Sequence, residues 1–205
     1  MNPFIYTISR WILLGLRPIY FPSQVIGLKN IPKKGAYILA SNHLSYLDPV
    51  ILGMCATNRP INFMAKDSLF KNKFIGWCLI KVGAFPIKRD STDLGGIKEA
   101  LHRLNKGEAL VMFPEGTRGV TGRDKKPHEG VGFLAVKAGV TVIPCYIDGS
   151  DNILPKGAKW LHYHPIKVCF GRPIRFSNTH DYADISRQVV DAIKRASGAP
   201  AHKIV

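Results

Sequence analysis

The chain has 205 residues, 46% hydrophobic and 21% charged, which suits one domain with a sizeable core. A formal net charge of +15 favours anionic partners such as phosphate head groups, a membrane surface, nucleic acid or an acidic carrier protein. Its four cysteines lie in apolar runs without a CxxC pair, which argues against a disulfide framework and indicates buried thiols in a reducing compartment.

The first predicted element is an amphipathic helix within residues 1–22. Arg10 and Arg17 interrupt its apolar residues, so the segment is too broken for a spanning helix and lacks the charge order of a signal peptide. A helical wheel places the polar residues on one narrow stripe. We expect this helix to lie in a membrane interface, with its arginines reaching head groups and Trp11 at the boundary. Packing against the domain's own core is the alternative, which the wide apolar arc disfavours.

Short apolar runs then alternate with helical periods. Strands are predicted at 36–40, 61–65, 83–87, 109–113, 140–147 and 167–170, and helices at 48–57, 73–80, 93–105, 130–138 and 183–196. This alternation implies βαβ units. The expected fold class is α/β: a single domain at residues 25–205 with a largely parallel sheet flanked by helices on both faces, preceded by the interfacial segment 1–24.

The segment Ser41–Pro49 directly follows a buried strand, so His43 is expected at the carboxyl end of the sheet, where open α/β folds bind ligands. Asp48 precedes a proline, as a helix N-cap often does. A fixed carboxylate beside an imidazole selects its tautomer and stabilises the imidazolium, so His43 and Asp48 together would make a general base. On spacing alone, a capping aspartate and an unrelated loop histidine remain the simpler interpretation.

Two further strand ends carry groups suited to phosphate. In the segment Phe113–Gly119 the glycines let the backbone approach a ligand, and Arg118 offers a planar fork of donors. Glu115 can orient that arginine or accept from a hydroxyl. Lys88 and Arg89 end another strand with adjacent cations. Polar groups at three strand ends should converge on one edge of the sheet, which favours a site over isolated surface charges.

These segments resemble the motifs of the glycerolipid acyltransferase family, specifically the 1-acyl-glycerol-3-phosphate acyltransferases. The resemblance covers roughly residues 27–173. It rests on a histidine–four residues–aspartate motif at His43 and Asp48 and on Phe-Pro-Glu-Gly-Thr-Arg at 113–118, which are specific in combination. Weaker matches to the family's second and fourth motifs are Gly83, Phe85, Ile87 and Arg89, and Val142, Ile143 and Pro144.

The resemblance implies a role for each matching residue. His43 would take the proton from the free glycerol hydroxyl with the support of Asp48, and that hydroxyl would attack an acyl thioester directly. The glycerol phosphate would be held by Arg89, Glu115, Gly116, Thr117 and Arg118. Pro144 would shape the acyl or thioester side. The residues before Gly130 depart from the family's pattern, so Lys126 is the candidate cation near the thioester.

The resemblance also implies the partners. The acceptor would be lysophosphatidic acid and the donor an acyl thioester on coenzyme A or acyl carrier protein, with no metal or prosthetic group as cofactor. The N-terminal helix predicts a peripheral protein on the cytoplasmic face of the cell membrane. No nucleic-acid partner is expected, because aromatic residues are not interleaved with the cations.

Two alternatives stay open. The first is an acyltransferase of the same family that acts on another lysolipid. The second is a non-catalytic module that binds anionic lipid through charge, which accounts for +15 but not for the motifs at His43 and Phe113.

Other chemistries are disfavoured. The sequence has no Gly-x-Ser-x-Gly elbow, and the apolar strand around Cys145 indicates an inert thiol. The glycines of 130–135 follow a charged loop instead of a strand, unlike a dinucleotide fingerprint. No fourth ligand is suitably spaced to complete a metal site with His162, His164 and Cys169.

Overall fold

The computed structural model describes residues 2–56, 59–88, 94–116, 128–155, 157–158, 160–176 and 181–198. Their strands are β1 (Ser23–Ile26), β2 (Tyr37–Ser41), β3 (Ile61–Lys66), β4 (Ala84–Ile87), β5 (Ala109–Met112), β6 (Thr141–Asp148) and β7 (Ile166–Phe170). Their α-helices are α1 (Pro3–Tyr20), α2 (Asp48–Ala56), α3 (Lys73–Lys81), α4 (Leu94–Asn105), α5 (Gly130–Lys137), α6 (Ser150–Ile153) and α7 (Tyr182–Ala196). Short 3-10 turns occur at Leu28–Asn30 and Asp67–Phe70.

The seven strands form one sheet in the order β1-β7-β6-β2-β5-β3-β4. Neighbouring strands are parallel except for β6 and β7, which are antiparallel. Strand β2 is buried along its whole length, as expected for a strand covered on both faces. The predicted α/β class with a largely parallel sheet is confirmed.

Helices cover both faces of this sheet. The crossovers through α2 and α3 carry the chain from β2 to β3 and on to β4, and those through α4 and α5 carry it back to β5 and β6. Right-handed crossovers in opposite directions place the two pairs on opposite faces. One core cluster accordingly contains Leu39 and Leu52, and the other contains Ile38, Leu134 and Val189.

Two elements escaped the sequence prediction because they are short. Strand β1 is a four-residue edge strand with an alternating burial pattern, and it pairs in parallel with β7. It begins at Ser23, two residues before the predicted start of the domain at residue 25. Helix α6 is one turn of four residues.

Helix α1 occupies the predicted N-terminal segment, but the two arginines of its polar stripe face the domain. The guanidinium of Arg10 donates to the carbonyl of Met54 at 3.4 Å, and that of Arg17 donates to the carbonyl of Ser23. Leu13 and Leu14 pack on the core cluster beneath. The expectation that these arginines reach lipid head groups is therefore wrong, because carbonyl groups of the domain hold them.

The outward side of α1 is mainly apolar, with Thr7 as an exposed polar residue. Its exposed large side chains are Phe4, Ile8, Trp11, Ile12, Leu16 and Ile19. In the part of the chain that the structure describes, no helix combines the length and apolar character needed to cross a membrane.

Candidate active site

The candidate site lies where β2 ends, next to its neighbours β5 and β6. The chain leaves β2 through α2 on one face of the sheet and reaches β6 through α5 on the other. A crevice opens at the carboxyl ends of parallel strands where successive crossovers part in this way. His43 follows β2 by two residues, so the fold places it at this carboxyl edge of the sheet.

His43 and Asp48 form a buried pair. The His43 Nδ1 atom lies 2.8 Å from Asp48 Oδ2, and the two side chains are 7% and 0% exposed. The intervening loop turns back on itself, so that the backbone N–H groups of Leu44 and Ser45 donate to the same oxygen at 2.7 and 2.8 Å. The spacing of the two motif residues thus lets the loop bring three hydrogen-bond donors to one carboxylate oxygen.

The predicted N-cap role of Asp48 is wrong by one position. Helix α2 begins at Asp48 itself, and the N–H of Ile51 bonds to the carbonyl of Leu47 at 2.8 Å, which makes Leu47 the cap residue. The Asp48 carboxylate instead points back into the loop, because its donors lie there. This orientation carries it to the imidazole.

The second oxygen of Asp48 has its own donor. The hydroxyl of Ser150, a fully buried residue at the start of α6, lies 2.6 Å from Asp48 Oδ1. Four donors on two oxygens suit a carboxylate anion, which has acceptors only. Because Nδ1–H of a neutral imidazole donates to this anion, Nε2 becomes the acceptor nitrogen. Within the described residues, no hydrogen-bond partner occupies Nε2.

The end of β5 meets the histidine. The ring of Phe113 stacks on the imidazole of His43 with centroids 4.0 Å apart and planes 20° apart. This contact joins the two motifs that the sequence analysis singled out, as expected for neighbouring parallel strands.

Glu115 and Gly116 follow Phe113 in the chain and lie close to the dyad. Burial raises the pKa of the Glu115 carboxyl above its ordinary value, and the charges of Lys194 and His43 partly oppose this rise. Gly116 adopts a left-handed φ of 66°, and a Cβ there would lie 2.5 Å from Nε2 of His128. A glycine is therefore required for this turn in its present packing.

Pro144 lies in β6 beside Ala40 of β2, three positions before His43 on the neighbouring strand. It is buried, and its carbonyl accepts from the N–H of Gly171 at 2.8 Å. Pro144 therefore lies where β6 contacts β2 on one side and the residue after β7 on the other.

Four predicted site residues lie outside the described residues. They are Arg89, Thr117, Arg118 and Lys126.

Three residues that shape the site were not among the predicted site residues. Ser150 holds Asp48, Phe113 stacks on His43, and the side-chain amide of Asn42 exchanges two hydrogen bonds of 2.8 Å with the backbone of Ile147. That exchange extends the β2–β6 ladder by one step and anchors the start of the loop that carries His43. The signal for Ser150 was its position directly after Asp148 and Gly149, at one more strand end.

The thiol of Cys145 is buried, and burial raises its pKa well above the ordinary value. This environment fits the expected inert thiol. In the described ranges, no group of three or more histidine, cysteine, aspartate or glutamate side chains is placed to hold a metal ion.

The part of the chain that carries this site matches known proteins. A protein-family model described as acyltransferase matches residues 22–148. A chloroplast 1-acyl-sn-glycerol-3-phosphate acyltransferase of Arabidopsis thaliana is 30% identical over 171 residues, covering 82% of this chain and 47% of that protein. The chain thus spans about half the length of this relative.

Two further proteins align over nearly the whole chain. A lyso-ornithine lipid O-acyltransferase of Pseudomonas aeruginosa is 27% identical over 96% of this chain and 80% of its own length. The crystal structure of the 1-acyl-sn-glycerophosphate acyltransferase from Thermotoga maritima superposes with a TM-score of 0.72 at 24% identity, covering 97% of this chain and 80% of that one. This superposition supports the fold.

Proposed function

Because the chain belongs to the acyltransferase family, we propose that it transfers a fatty acyl group from an acyl thioester to the free sn-2 hydroxyl of 1-acyl-sn-glycerol-3-phosphate, giving phosphatidic acid for phospholipid synthesis. The observation that carries this proposal is the buried pair of His43 and Asp48, 2.8 Å apart at the carboxyl end of β2. A charge-driven lipid-binding module would have no use for such a pair.

The proposed reaction follows from the tautomer that Asp48 selects. Nε2 of His43 accepts the proton of the acceptor hydroxyl while that oxygen attacks the thioester carbonyl. The new C–O bond forms, the C–S bond breaks, and the departing thiolate recovers the proton from the imidazolium. Asp48 stabilises this imidazolium, and general-base catalysis of this kind contributes about 10²–10⁴-fold in rate.

The acceptor is proposed from the charge around the site. Glu115 and Gly116 lie beside the dyad, and the motif continues into Thr117 and Arg118. The side chains of Thr117, Arg118 and Arg89 would offer a phosphate the hydrogen-bond donors that it prefers. A lysolipid without phosphate is the second candidate acceptor, because the Pseudomonas aeruginosa relative is named for a lyso-ornithine lipid.

The donor and the location are also proposals. Coenzyme A and acyl carrier protein are both anionic, and both suit a chain with a net charge of +15. The mainly apolar outer side of α1 would lie in the interface of a membrane, on its cytoplasmic face, where lysolipids are found. Trp11 is 66% exposed on that side, which suits the boundary between head groups and acyl chains.

The test supplies purified protein with lysophosphatidic acid and a long-chain acyl thioester, in parallel on coenzyme A and on acyl carrier protein. Thiol release and phosphatidic acid are followed together. We expect product from the native chain and a loss of at least 10²-fold in His43→Ala. The matched control is His102→Ala, an exposed histidine of α4, which should retain the native rate.

Lyso-ornithine lipid in the same assay distinguishes the two acceptors. If no lysolipid yields product with either donor while the chain still binds vesicles, the catalytic proposal fails and the lipid-binding module replaces it.

A further inference from the structure

Exposed apolar side chains are distributed unevenly over the α-helices. Eleven large hydrophobic side chains of the described α-helices are exposed, six on α1, four on α3 and one on α4. The four on α3 are Phe74, Ile75, Trp77 and Ile80, with Phe74 73% exposed. Helix α7, by contrast, exposes none of this kind. Helix α3 thus resembles α1 and differs from the helices on the opposite face of the sheet.

Helices α1 and α3 belong to one surface. Both lie on the α2 side of the sheet: the hydroxyl of Tyr6 reaches the carbonyl of Gly53 in α2 at 3.5 Å, and α3 makes the next crossover in the same direction. The backbone N–H of Asn2 donates to the carbonyl of Lys81 at 3.1 Å, so the start of α1 adjoins the end of α3.

Helix α3 is seated firmly although its apolar residues point outward. Asn72 caps it by accepting from the N–H groups of Phe74 and Ile75 at 3.1 Å. Gly76 packs so closely on the preceding turn that a Cβ would lie 3.0 Å from the carbonyl oxygen of Phe70. The inward side of α3 is thus made by a glycine, and its large side chains are left for another partner.

The charges around α3 indicate what that partner is. Residues 61–88 contain five lysines and one aspartate, and α1 contains two arginines and no acid. Lys66, Lys71 and Lys73 are exposed, and the ammonium of Lys81 lies 5.7 Å from the ring centroid of Trp77. Aromatic residues beside cations are typical of segments that lie in an anionic bilayer surface. A second copy of this basic surface would be repelled.

We propose that α3 is a second membrane-inserting element, which binds an anionic phospholipid bilayer together with α1. Two helices joined at one end define a plane, and so fix the tilt of the domain about the α1 axis more tightly than the apolar side of α1 alone. Insertion of both helices would fix the orientation of the carboxyl edge of the sheet relative to the bilayer surface. The inference extends the proposed membrane partner, and its tests measure binding and depth without requiring turnover.

The first test is sedimentation of the full chain with vesicles of phosphatidylglycerol and phosphatidylcholine. The double variant Phe74→Ser and Trp77→Ser removes apolar area without adding charge. We expect its partition coefficient to fall at least tenfold, equivalent to about 1.4 kcal/mol. The control is Leu94→Ser on α4, which is 64% exposed on the other face and should leave partitioning unchanged. Circular dichroism checks that each variant is folded.

The second test measures how deeply Trp77 enters the bilayer. The chain has three tryptophans, so replacing Trp11 and Trp160 by phenylalanine leaves Trp77 as the only reporter. Brominated lipids should quench its fluorescence strongly. A reporter placed by Leu94→Trp, in a chain with all three tryptophans replaced by phenylalanine, should stay unquenched.

The proposal is overturned if Trp77 is no better quenched than the Leu94→Trp reporter, or if the double serine variant partitions like the native chain. Should the native chain be a dimer that the serine variant dissociates, with partitioning unaffected, the surface is an interface between copies instead. Acyl transfer to lysophosphatidic acid dispersed in detergent is measured in the same variants, so a failure of docking is distinguished from a failure of the proposed activity.

Discussion

Replacing Ser150 by alanine tests whether the second oxygen of Asp48 must be held. The serine hydroxyl lies 2.6 Å from Asp48 Oδ1, and both side chains are 0% exposed. Ser150→Ala removes the donor of that oxygen, while the other three donors all bind Oδ2. A hydrogen bond to a charged group contributes about 1.5–3 kcal/mol, and water does not readily replace it in a buried position.

Two quantities should change. The free energy of unfolding should fall by about 1.5–3 kcal/mol, which lowers Tm by about 3–12 °C in a chain of this size. If about half of that energy also bears on the orientation of the carboxylate in the transition state, kcat should fall about 4- to 13-fold, since about 1.36 kcal/mol corresponds to a factor of ten. KM should change little, because the hydroxyl lies behind the dyad.

The assay measures kcat, KM and Tm, with the kinetics run well below the lowest Tm. Ser186→Ala is the matched control: this serine is also 0% exposed, and its hydroxyl accepts from the N–H of Gly132 at 3.1 Å on the opposite face of the sheet. It should lose stability and keep its kcat. Ser150→Cys, with a weaker donor of similar shape, should give an intermediate kcat.

If Ser150→Ala and Ser186→Ala instead lose similar stability and both keep the native kcat, Ser150 is a packing residue without influence on His43.

Three further variants test the surroundings of the dyad. Burial raises the pKa of Glu115, so the folded state binds that proton more tightly than the unfolded state. The free energy of unfolding therefore falls as pH rises through the folded-state pKa. Glu115→Gln should raise Tm at pH 7 and leave it unchanged below about pH 4. Gly116→Ala should cost about 1–3 kcal/mol from its φ of 66°, and adding His128→Ala should relieve only the steric part, which melting of the single and double variants separates. Phe113→Leu should lose about 0.5–1.5 kcal/mol of ring stacking on His43 and lower kcat more than it raises KM; unchanged kinetics would show that the ring only fills space.

The orientation of α1 shows where sequence patterns stop being informative. The wheel separates a polar stripe from an apolar arc, and the usual inference turns the polar side toward water or head groups. Here Arg10 and Arg17 find carbonyl oxygens of Met54 and Ser23, which belong to α2 and β1. These acceptors come together only in the folded domain, because Met54 is 44 residues from its arginine. A periodicity calculation does not contain that information.

The candidate site was predictable to the extent that it depends on strand ends. Parallel strands bring their carboxyl ends to one edge, so the approach of His43 and Phe113 followed from their positions after two buried runs. The contribution of Ser150 did not follow, because the sequence does not show that β6 lies directly beside β2. That a serine after a strand holds the dyad aspartate can be predicted only once the neighbouring strand is known.

Strand order also explains why the site and the fold are coupled. His43 lies in the loop after β2 and Asp48 at the start of α2, the stacking ring directly follows β5, and the hydroxyl that holds Asp48 lies just beyond β6. Register fixes all three, since Ala40 pairs with Met112 on one side and Ser41 with Cys145 on the other. A slip of one residue in either pairing would reverse which face each side chain occupies. The pair of His43 and Asp48 therefore reaches its final geometry only when three strands distant in sequence have joined, and a change that loosens β6 should reduce catalysis before the sheet unfolds.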